Sequence, residues 1–502
     1  MEILSGFANA LDPSNLIFVL MGVFVGICFG AVPGLDPTTG TALLIPITYA
    51  FSPVQALLFL TSLYLGGVFG GSITAILFKV PGSSEAVMTS LDGYPMTQRG
   101  EAGKALGIAI MSSSIGGTLA VIVTIVLSTQ LAKVALQFGP AEYFALAVLG
   151  LSCVSSIGTN SQIKSLIGAC VGLLLATVGI DAITGVTRFT FGSKSLLSGI
   201  AFVPAIIGLF AASEVFNKVS QKQELEAVEN VDTEKVKTKL MSLKEILALK
   251  WTILRGSVIG TWIGILPGVG ATTASIISYT QEVRFSKHPE KFGTGIQEGI
   301  AAPEAANNAA AVAAMIPLLS LGIPGSGTTA VLIGAFLIHG LKVGPLLFIN
   351  NSDLVYSIFG GMFIANFVVV LGGLFAVRFF VKLVKIPYPI MATSIMSFCI
   401  IGSLALGDVN GVLLMFVFAV VGFFMGHYKY PTTPVILGLV LGPILETSLR
   451  RALMMTEYNF IDLLTRPITA VLLGLALISL LAPWIGKLIS FAKDKTSNFP
   501  GH

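Results

Sequence analysis

The chain has 502 residues, 54% hydrophobic and 11% charged, with a mean hydropathy of +0.89. Soluble domains carry about 25% charged residues, so this composition belongs to a polytopic membrane protein. The formal net charge of +4 is small and spread along the chain, which argues against nucleic acid as a partner.

A spanning helix needs about 20 apolar residues. In chain order the apolar runs are Leu16–Val32, Ala42–Leu63, Ala105–Leu127, Tyr143–Ile157, Ser165–Val178, Leu197–Ala211, Val258–Tyr279, Ala309–Leu321, Ala330–Ile338, Val355–Phe380, Ile390–Leu406, Val412–Gly426, Val435–Leu445 and Ile468–Ile485. Several are too short for a full span, so the expected fold is all-α, with about ten to twelve spans plus re-entrant hairpins or broken helices. The N-terminal MEILSGFANALDPSN has no basic n-region and no small-residue cleavage site, so no removable signal peptide is expected there. The long polar stretch Lys218–Arg255 mixes Lys222, Lys235, Lys237, Lys239 and Lys244 with Glu224, Glu226, Glu229, Asp232 and Glu234, and reads as a solvated cytoplasmic linker. A tail carrying Lys487, Lys493 and Lys495 is placed on the same side. Cys28, Cys153, Cys170 and Cys399 lie in or beside apolar runs without CxxC spacing, and read as packing residues.

The linker separates two stretches that repeat one another. GVFVGICFGAVPGLDPTT (Gly22–Thr39) aligns without gaps on GSVIGTWIGILPGVGATT (Gly256–Thr273), 234 residues on. Gly22, Gly26, Gly30, Pro33, Gly34, Thr38 and Thr39 fall on Gly256, Gly260, Gly264, Pro267, Gly268, Thr272 and Thr273. A second pair, ILFKVPGSSEAV (Ile76–Val87) and LSLGIPGSGTTAV (Leu319–Val331), puts Pro81, Gly82 and Ser83 on Pro324, Gly325 and Ser326 at a shift of 243. The nine extra residues are expected in TQEVRFSKHPEKFGTG. The domain reading is therefore residues 1–217 as a first transmembrane repeat, 218–252 as the linker and 253–502 as a second repeat with a cytoplasmic tail. The two repeats can be parallel or inverted.

Pro-Gly breaks inside apolar runs have a physical consequence. Proline removes a donor and glycine weakens the helix, so backbone groups are left unpaired, and in hydrocarbon these survive only facing protein, water, an ion or a ligand. Paired breaks in corresponding positions of two halves point to a transporter's substrate site, and half-helix N-termini suit an anionic carboxylate. The expected helix breaks are Pro33, Gly34, Pro81, Gly82, Pro267, Gly268, Pro324 and Gly325. Neutral donors beside them are Thr38, Thr39, Ser72, Thr74, Ser83, Ser84, Thr272, Thr273, Ser326, Thr328 and Thr329, and Thr89 is a further neutral hydroxyl. Asn307 and Asn308 precede an apolar arm, where their amides can serve a carboxylate and a cation, or can cap and tie helices. Asp36 and Glu304 are candidate ion-coupling carboxylates. The ladders Gly22/Gly26/Gly30 and Gly256/Gly260/Gly264 read as close helix packing. Asp92, in LDGYP, reads as part of a surface turn, and Lys79 as a side chain reaching the membrane interface. Arg450 and Arg451 are read as marking a cytoplasmic helix end. His288, His339 and His427 show no metal spacing.

The blocks PGLDPTTG, YLGGVFGGSITAIL, VPGSSEAVMTSLDGYPM, LPGVGATTASIISY, SKHPEKFGTGIQEGIAAPEAANNAA, LGIPGSGTTAV and YPTTPVILGLVLGPILETSLRRAL closely resemble the large membrane subunit of tripartite tricarboxylate transporters, the TctA family, from about Gly22 to Arg466. The resemblance implies a permease of the bacterial inner membrane that imports a tricarboxylate or related organic anion. Its implied partners are a small membrane subunit and a periplasmic solute-binding protein, and self-association into a homo-oligomer is left open. No cofactor is implied beyond a coupling ion, sodium or proton. Two departures stand out: Asp36 replaces a glycine usual in the family, and KVGP (Lys342–Pro345) replaces a Pro-Gly-Pro turn. The first adds a carboxylate at the expected site.

Rival classes are weaker. No GxSxG, HExxH or Rossmann fingerprint occurs, and GIPGSGTT (Gly322–Thr329) has Thr328 where a phosphate-binding loop needs lysine, so an enzyme is not expected. Neither a selectivity-filter repeat nor a charged ring supports a channel. A stand-alone carboxylate:cation symporter is the nearest alternative.

Overall fold

Proline and hydroxyl residues punctuate the helices. Pro13, Pro37, Pro53 and Pro345 each sit in a helical first turn, where the missing N–H costs nothing, and Asp12, Asp36 and Ser52 cap the first three of these. The computed structural model describes residues 2–32, 35–156, 162–221, 238–384 and 388–481. Pro33 and Gly34 lie outside these residues, as do the linker charges from Lys222 to Lys237 and Lys487, Lys493 and Lys495 of the tail.

In chain order come α1 (Glu2–Leu11), α2 (Pro13–Ala31), α3 (Pro37–Thr48), α4 (Pro53–Phe78), α5 (Val87–Gln98), α6 (Ala102–Ala135), α7 (Pro140–Ser156) and α8 (Gln162–Ala176). A short ribbon follows, β1 (Gly179–Ile180) and β2 (Thr187–Arg188), then α9 (Phe202–Ile206), α10 (Ser213–Gln221), α11 (Leu243–Ala248), α12 (Lys250–Ile265), α13 (Gly270–Phe285), α14 (Glu298–Ala313), α15 (Met315–Leu321) and α16 (Gly327–Ile338). The chain continues through α17 (Pro345–Asn350), α18 (Ser352–Val384), α19 (Tyr388–His427), α20 (Thr433–Met455) and α21 (Phe460–Leu464). Among the described residues nine helices are long and apolar enough to cross a membrane, and shorter apolar helices such as Gly327–Ile338 accompany them. The fold is helical, as expected, apart from the two-stranded antiparallel ribbon pairing Gly179 with Arg188 and Ile180 with Thr187.

The apolar runs Ile390–Leu406 and Val412–Gly426 lie in one helix, α19, which supplies two of the nine spans, Tyr388–Ala405 and Val409–His427. The run Leu197–Ala211 leads into the continuous span Phe202–Ser220, in which α9, a π-helical stretch Ile207–Ala212 and α10 follow one another without a gap.

Two units divide the chain. One comprises Met1–Leu136 and Ala201–Thr432. In it α2 packs along α4 through Gly22, Gly26 and Gly30, where an added side-chain carbon would collide with the carbonyl oxygens of Phe59, Leu63 and Gly67. α12 packs along α14 in the same manner, with Gly256, Gly260 and Gly264 against the carbonyls of Ala302, Ala306 and Ala310. Both ladders advance four residues per step, the spacing that keeps one helix face bare and lets backbones meet.

The other unit comprises Gln137–Ile200 and Thr433–His502. There α7 and α8 pack on α20, with Gly172 and Gly438 allowing close approach. Arg450, placed by sequence at a helix end, is inside α20, where its Nη1 lies 2.6 Å from Asp181 Oδ2. Arg188 adds a two-pronged pair with Glu446 at 2.6 and 3.1 Å. The Asp181 carboxyl is held well below the usual carboxylate range by the backbone N–H groups of Thr184 and Ile183 and by the Arg450 guanidinium. The ribbon is thereby tied to α20 by charge-assisted bonds.

Candidate functional site

Three of the expected breaks interrupt helices within the first unit, and the other, at Pro33 and Gly34, lies outside the described residues, between the end of α2 and the start of α3. At the first, α2 ends and Val32 turns extended (ψ 116°) before α3 begins. At the second, α4 stops at Lys79 in the left-handed region (φ 60°), two residues before Pro81. At the third, Leu266 is extended and Gly268 and Gly270 take φ of 75° and 74°. At the fourth, α15 ends on Gly322 at φ 75°, two residues before Pro324. The positive φ at Gly268, Gly270 and Gly322 is open to glycine at little cost, which is why the sequence spends glycines there.

The breaks converge in two corresponding contacts. Gly82 of the second break lies on the carbonyl oxygen of Gly30, at the end of α2. Gly325 of the fourth approaches the carbonyl of Gly264 at the end of α12, with an added carbon there 2.9 Å from that oxygen and 2.8 Å from Ala314 Cα. Hydroxyl pairs then cross between the halves. Thr38 Oγ1 lies 2.9 Å from Thr328 Oγ1, and Ser84 Oγ lies 2.9 Å from Thr272 Oγ1. Tyr64, from the middle of α4, places its hydroxyl 3.1 Å from Ser326 Oγ.

The helix N-termini at these breaks are not equivalent. Asp36 caps α3, its Oδ1 accepting from Thr39 N at 2.7 Å. Ser326 and Thr329 close a reciprocal capping box on α16, with Thr329 N donating to Ser326 Oγ at 3.2 Å and Ser326 N to Thr329 Oγ1 at 2.7 Å. The N-terminus of α13 has no side-chain cap, and neither has the Ser84–Ala86 turn that leads into α5. Thr273 Oγ1 donates back to Val269 O at 3.0 Å, leaving Thr272 as the hydroxyl directed across to Ser84. Free backbone donors and the positive helix end therefore concentrate where Ser84 meets Thr272.

Asp36 acts locally, its carboxylate taking up a backbone donor that a glycine would leave to solvent or ligand. Replacing Asp36 by glycine is expected to loosen the first turn of α3 at a cost of roughly a few tenths of a kcal/mol. Faster amide exchange at Thr39, with α16 unaffected, is the readout; unchanged exchange would refute the capping role.

Glu304 lies inside α14 and is fully buried. Ser72 Oγ of α4 donates to its Oε1 at 2.5 Å, Thr89 of α5 donates to the same oxygen, and Ser113 Oγ of α6 donates to Oε2 at 2.7 Å. Asn307 Nδ2 adds a longer contact at 3.5 Å. Four helices are thus tied at one carboxylate, whose acceptor positions are essentially filled. Asn307 and Asn308, expected at a helix boundary, are likewise in the interior of α14; the alanine-rich run around them carries the helix through. Their Oδ1 atoms are buried without a hydrogen-bond partner.

A family model described as "Tripartite tricarboxylate transporter TctA family" matches residues 16–437, a span that holds all four breaks and the Glu304 cluster. The chain belongs to the TctA family. It is 40% identical over 473 residues, covering 94% of this chain and 93% of the relative, to an uncharacterized 52.8 kDa protein in the TAR-I ttuC' 3' region of Agrobacterium vitis. It is 38% identical over 220 residues, 44% of this chain, to an uncharacterized protein in the TAR-II ttuC' 3' region of the same organism, 91% of which is covered. No solved structure matches. Family membership makes this a multi-pass subunit of a tricarboxylate-type transporter, and a transporter family rather than an enzyme family.

Other residues of this TctA chain fall outside the convergence. Asp92 is not in a surface turn: LDGYP continues α5, and the side chain is buried. Its Oδ1 accepts from Gly293 N, Gly295 N and Ile296 N at 2.9, 2.8 and 3.0 Å, and Tyr279 OH donates to Oδ2 at 2.8 Å. The residue thus clamps the loop before α14, supporting the structural reading. Lys79 extends over the Tyr94 ring at 5.9 Å. Thr74 Oγ1 stays on its own helix, bonded to Gly71 O at 3.4 Å.

The sequence reading missed Tyr64, Ser113 and Glu85, and offered Thr89 only as one of several neutral hydroxyls. Glu85 carried a signal: it is a carboxylate four residues beyond Pro81, opposite Thr328 in the repeat alignment. Ser113 carried none, since its role depends on where α6 passes α14.

Proposed function

We propose that this TctA chain is the permease of a three-part importer in the bacterial inner membrane, moving a tricarboxylate or related organic anion with an ion gradient as the driving force. A small membrane subunit and a periplasmic solute-binding protein complete it, the latter delivering cargo to the outer face. The carrying observation is the crossing of four helix breaks, with uncapped N-termini at Ser84–Ala86 and at α13 beside the Ser84–Thr272 pair. A carboxylate there would meet backbone N–H groups and the hydroxyls of Ser83, Ser84, Thr272 and Thr273. Thr38, Thr328, Thr329 and Ser326, already paired with one another, form the opposing wall. Asn307 and Asn308 supply buried amides behind it.

The matching glycine ladders and matching Gly82–Gly30 and Gly325–Gly264 contacts support two repeated halves acting around this crossing. Uptake of radiolabelled citrate and smaller dicarboxylates is measured in proteoliposomes holding this chain and its small subunit, with binding protein and sodium or proton gradient each supplied or withheld. Saturable uptake requiring both is expected, and Thr272→Val with Ser84→Ala should raise the half-saturating concentration by about 100-fold or more, two hydrogen bonds to a charged group being lost. Uptake without binding protein would replace this reading by a stand-alone symporter.

A further inference from the structure

Glu85 is buried close to the crossing, 8% exposed, and forms no ion pair among the described residues. Its carboxylate receives one long bond from Ser84 Oγ at 3.5 Å. The neighbouring Ser83 hydroxyl is buried beside it without closing a bond of ordinary geometry. Glu304 provides the contrast, because there hydroxyls from three other helices fill the acceptor positions. Asp36 lies within electrostatic reach of Glu85, which adds negative charge, and among the described residues no lysine or arginine pairs with either group.

Asn307 joins the same place. Its Nδ2 donates to the backbone carbonyl of Glu85 at 3.4 Å and points to Glu304 Oε1, so two acceptors fix which end of the amide is nitrogen. The Oδ1 atom is left fully buried with nothing to accept from. A buried carboxyl group, a hydroxyl and an amide carbonyl with unused lone pairs form an oxygen set that is costly when empty. A single proton on Glu85 would satisfy one of those oxygens, whereas a hard cation gathers several.

We infer that Glu85, Ser83 Oγ and Asn307 Oδ1 form a binding site for an alkali-metal cation. One unit of carboxylate charge with neutral oxygens balances a monovalent ion. The cation would also offset the negative field that an anionic cargo meets at the crossing, so cargo and cation favour each other's binding. This rests on the ion-coupled reading above.

The test is equilibrium binding of radioactive sodium to the purified full-length chain, with lithium, potassium and choline as competitors. Saturable binding is expected in the native protein, with choline inert. Glu85→Gln should weaken it by about 10-fold or more, and Asn307→Ala should weaken it in the same direction. Thermal unfolding in sodium-free buffer checks that each variant is folded, and Ser83→Ala, which keeps the carboxylate, carries the test if Glu85→Gln does not fold. Undiminished sodium binding in folded Glu85→Gln would overturn the site. Citrate uptake driven by a proton gradient with no bound sodium would overturn it too, while leaving carboxylate transport intact. Sodium binding that needs Glu85, in a chain that moves no carboxylate with its partners present, would support the site and defeat the transport reading.

Discussion

Glu304→Ala is expected to abolish uptake and to destabilise the chain by about 3–5 kcal/mol, because it removes the acceptor that several buried donors share. Ser72, Thr89 and Ser113 approach from α4, α5 and α6, so the loss is felt in three helices besides α14. Glu304→Gln separates the contributions of charge and volume. It keeps the volume, and the hydroxyls can rotate to accept from the new amide, so a smaller loss of stability is expected. Thermal unfolding of both variants in ligand-free detergent solution is the measurement. Equal stability of Glu304→Ala and the native chain would refute the idea that this carboxylate holds the four helices together.

Gly82→Ala is expected to stop transport, whereas Gly325→Ala should retain part of it. An added carbon at Gly82 meets the Gly30 carbonyl oxygen, a backbone group at the end of α2 that cannot swing aside. At Gly325 the nearest atoms are Ala314 Cα at 2.8 Å and the Ala314 side chain and Gly264 carbonyl oxygen at 2.9 Å, a milder overlap that a smaller helix movement relieves. Overpacking of this kind costs about 1–3 kcal/mol, and here it would fall on the contact that sets one break against another. Uptake by the two variants, reconstituted at matched levels, gives the comparison. Equal activity of both would mean that the Gly82–Gly30 approach does not position the crossing.

The sequence by itself determined the helical membrane character, since long uninterrupted apolar runs satisfy their backbone in lipid as helices, whereas a closed barrel needs alternating strands. It also determined where the helices break, because Pro-Gly pairs and positive-φ glycines act locally: the interruptions at Pro81, Pro267 and Pro324 stand where the residues dictate. The repeating glycines foretold close packing, since an i, i+4 ladder of missing side chains has one evident use. Partner preference lay beyond it. Asp36, next to a break, reads as an ion ligand from the sequence, and only the structure adds that its Oδ1 accepts from Thr39 N. Asp92, in what reads as a turn, proves to hold a loop 201 residues away in sequence, through bonds such as that from Gly293 N.

Only the tertiary structure decided which carboxylates are saturated and which are not. Glu85 follows two serines in PGSSEAV and Glu304 stands between proline and alanine in AAPEAANN, and neither setting tells which of the two is saturated. Their difference arises because α4, α5 and α6 bring hydroxyls to Glu304 from 191 or more residues away, while the Glu85 carboxyl is reached only from its own segment, by a long bond from Ser84 and weaker approaches of Ser83 and its own backbone N–H. Hydrogen-bond satisfaction is a property of the packed interior, and sequence spacing carries no record of it.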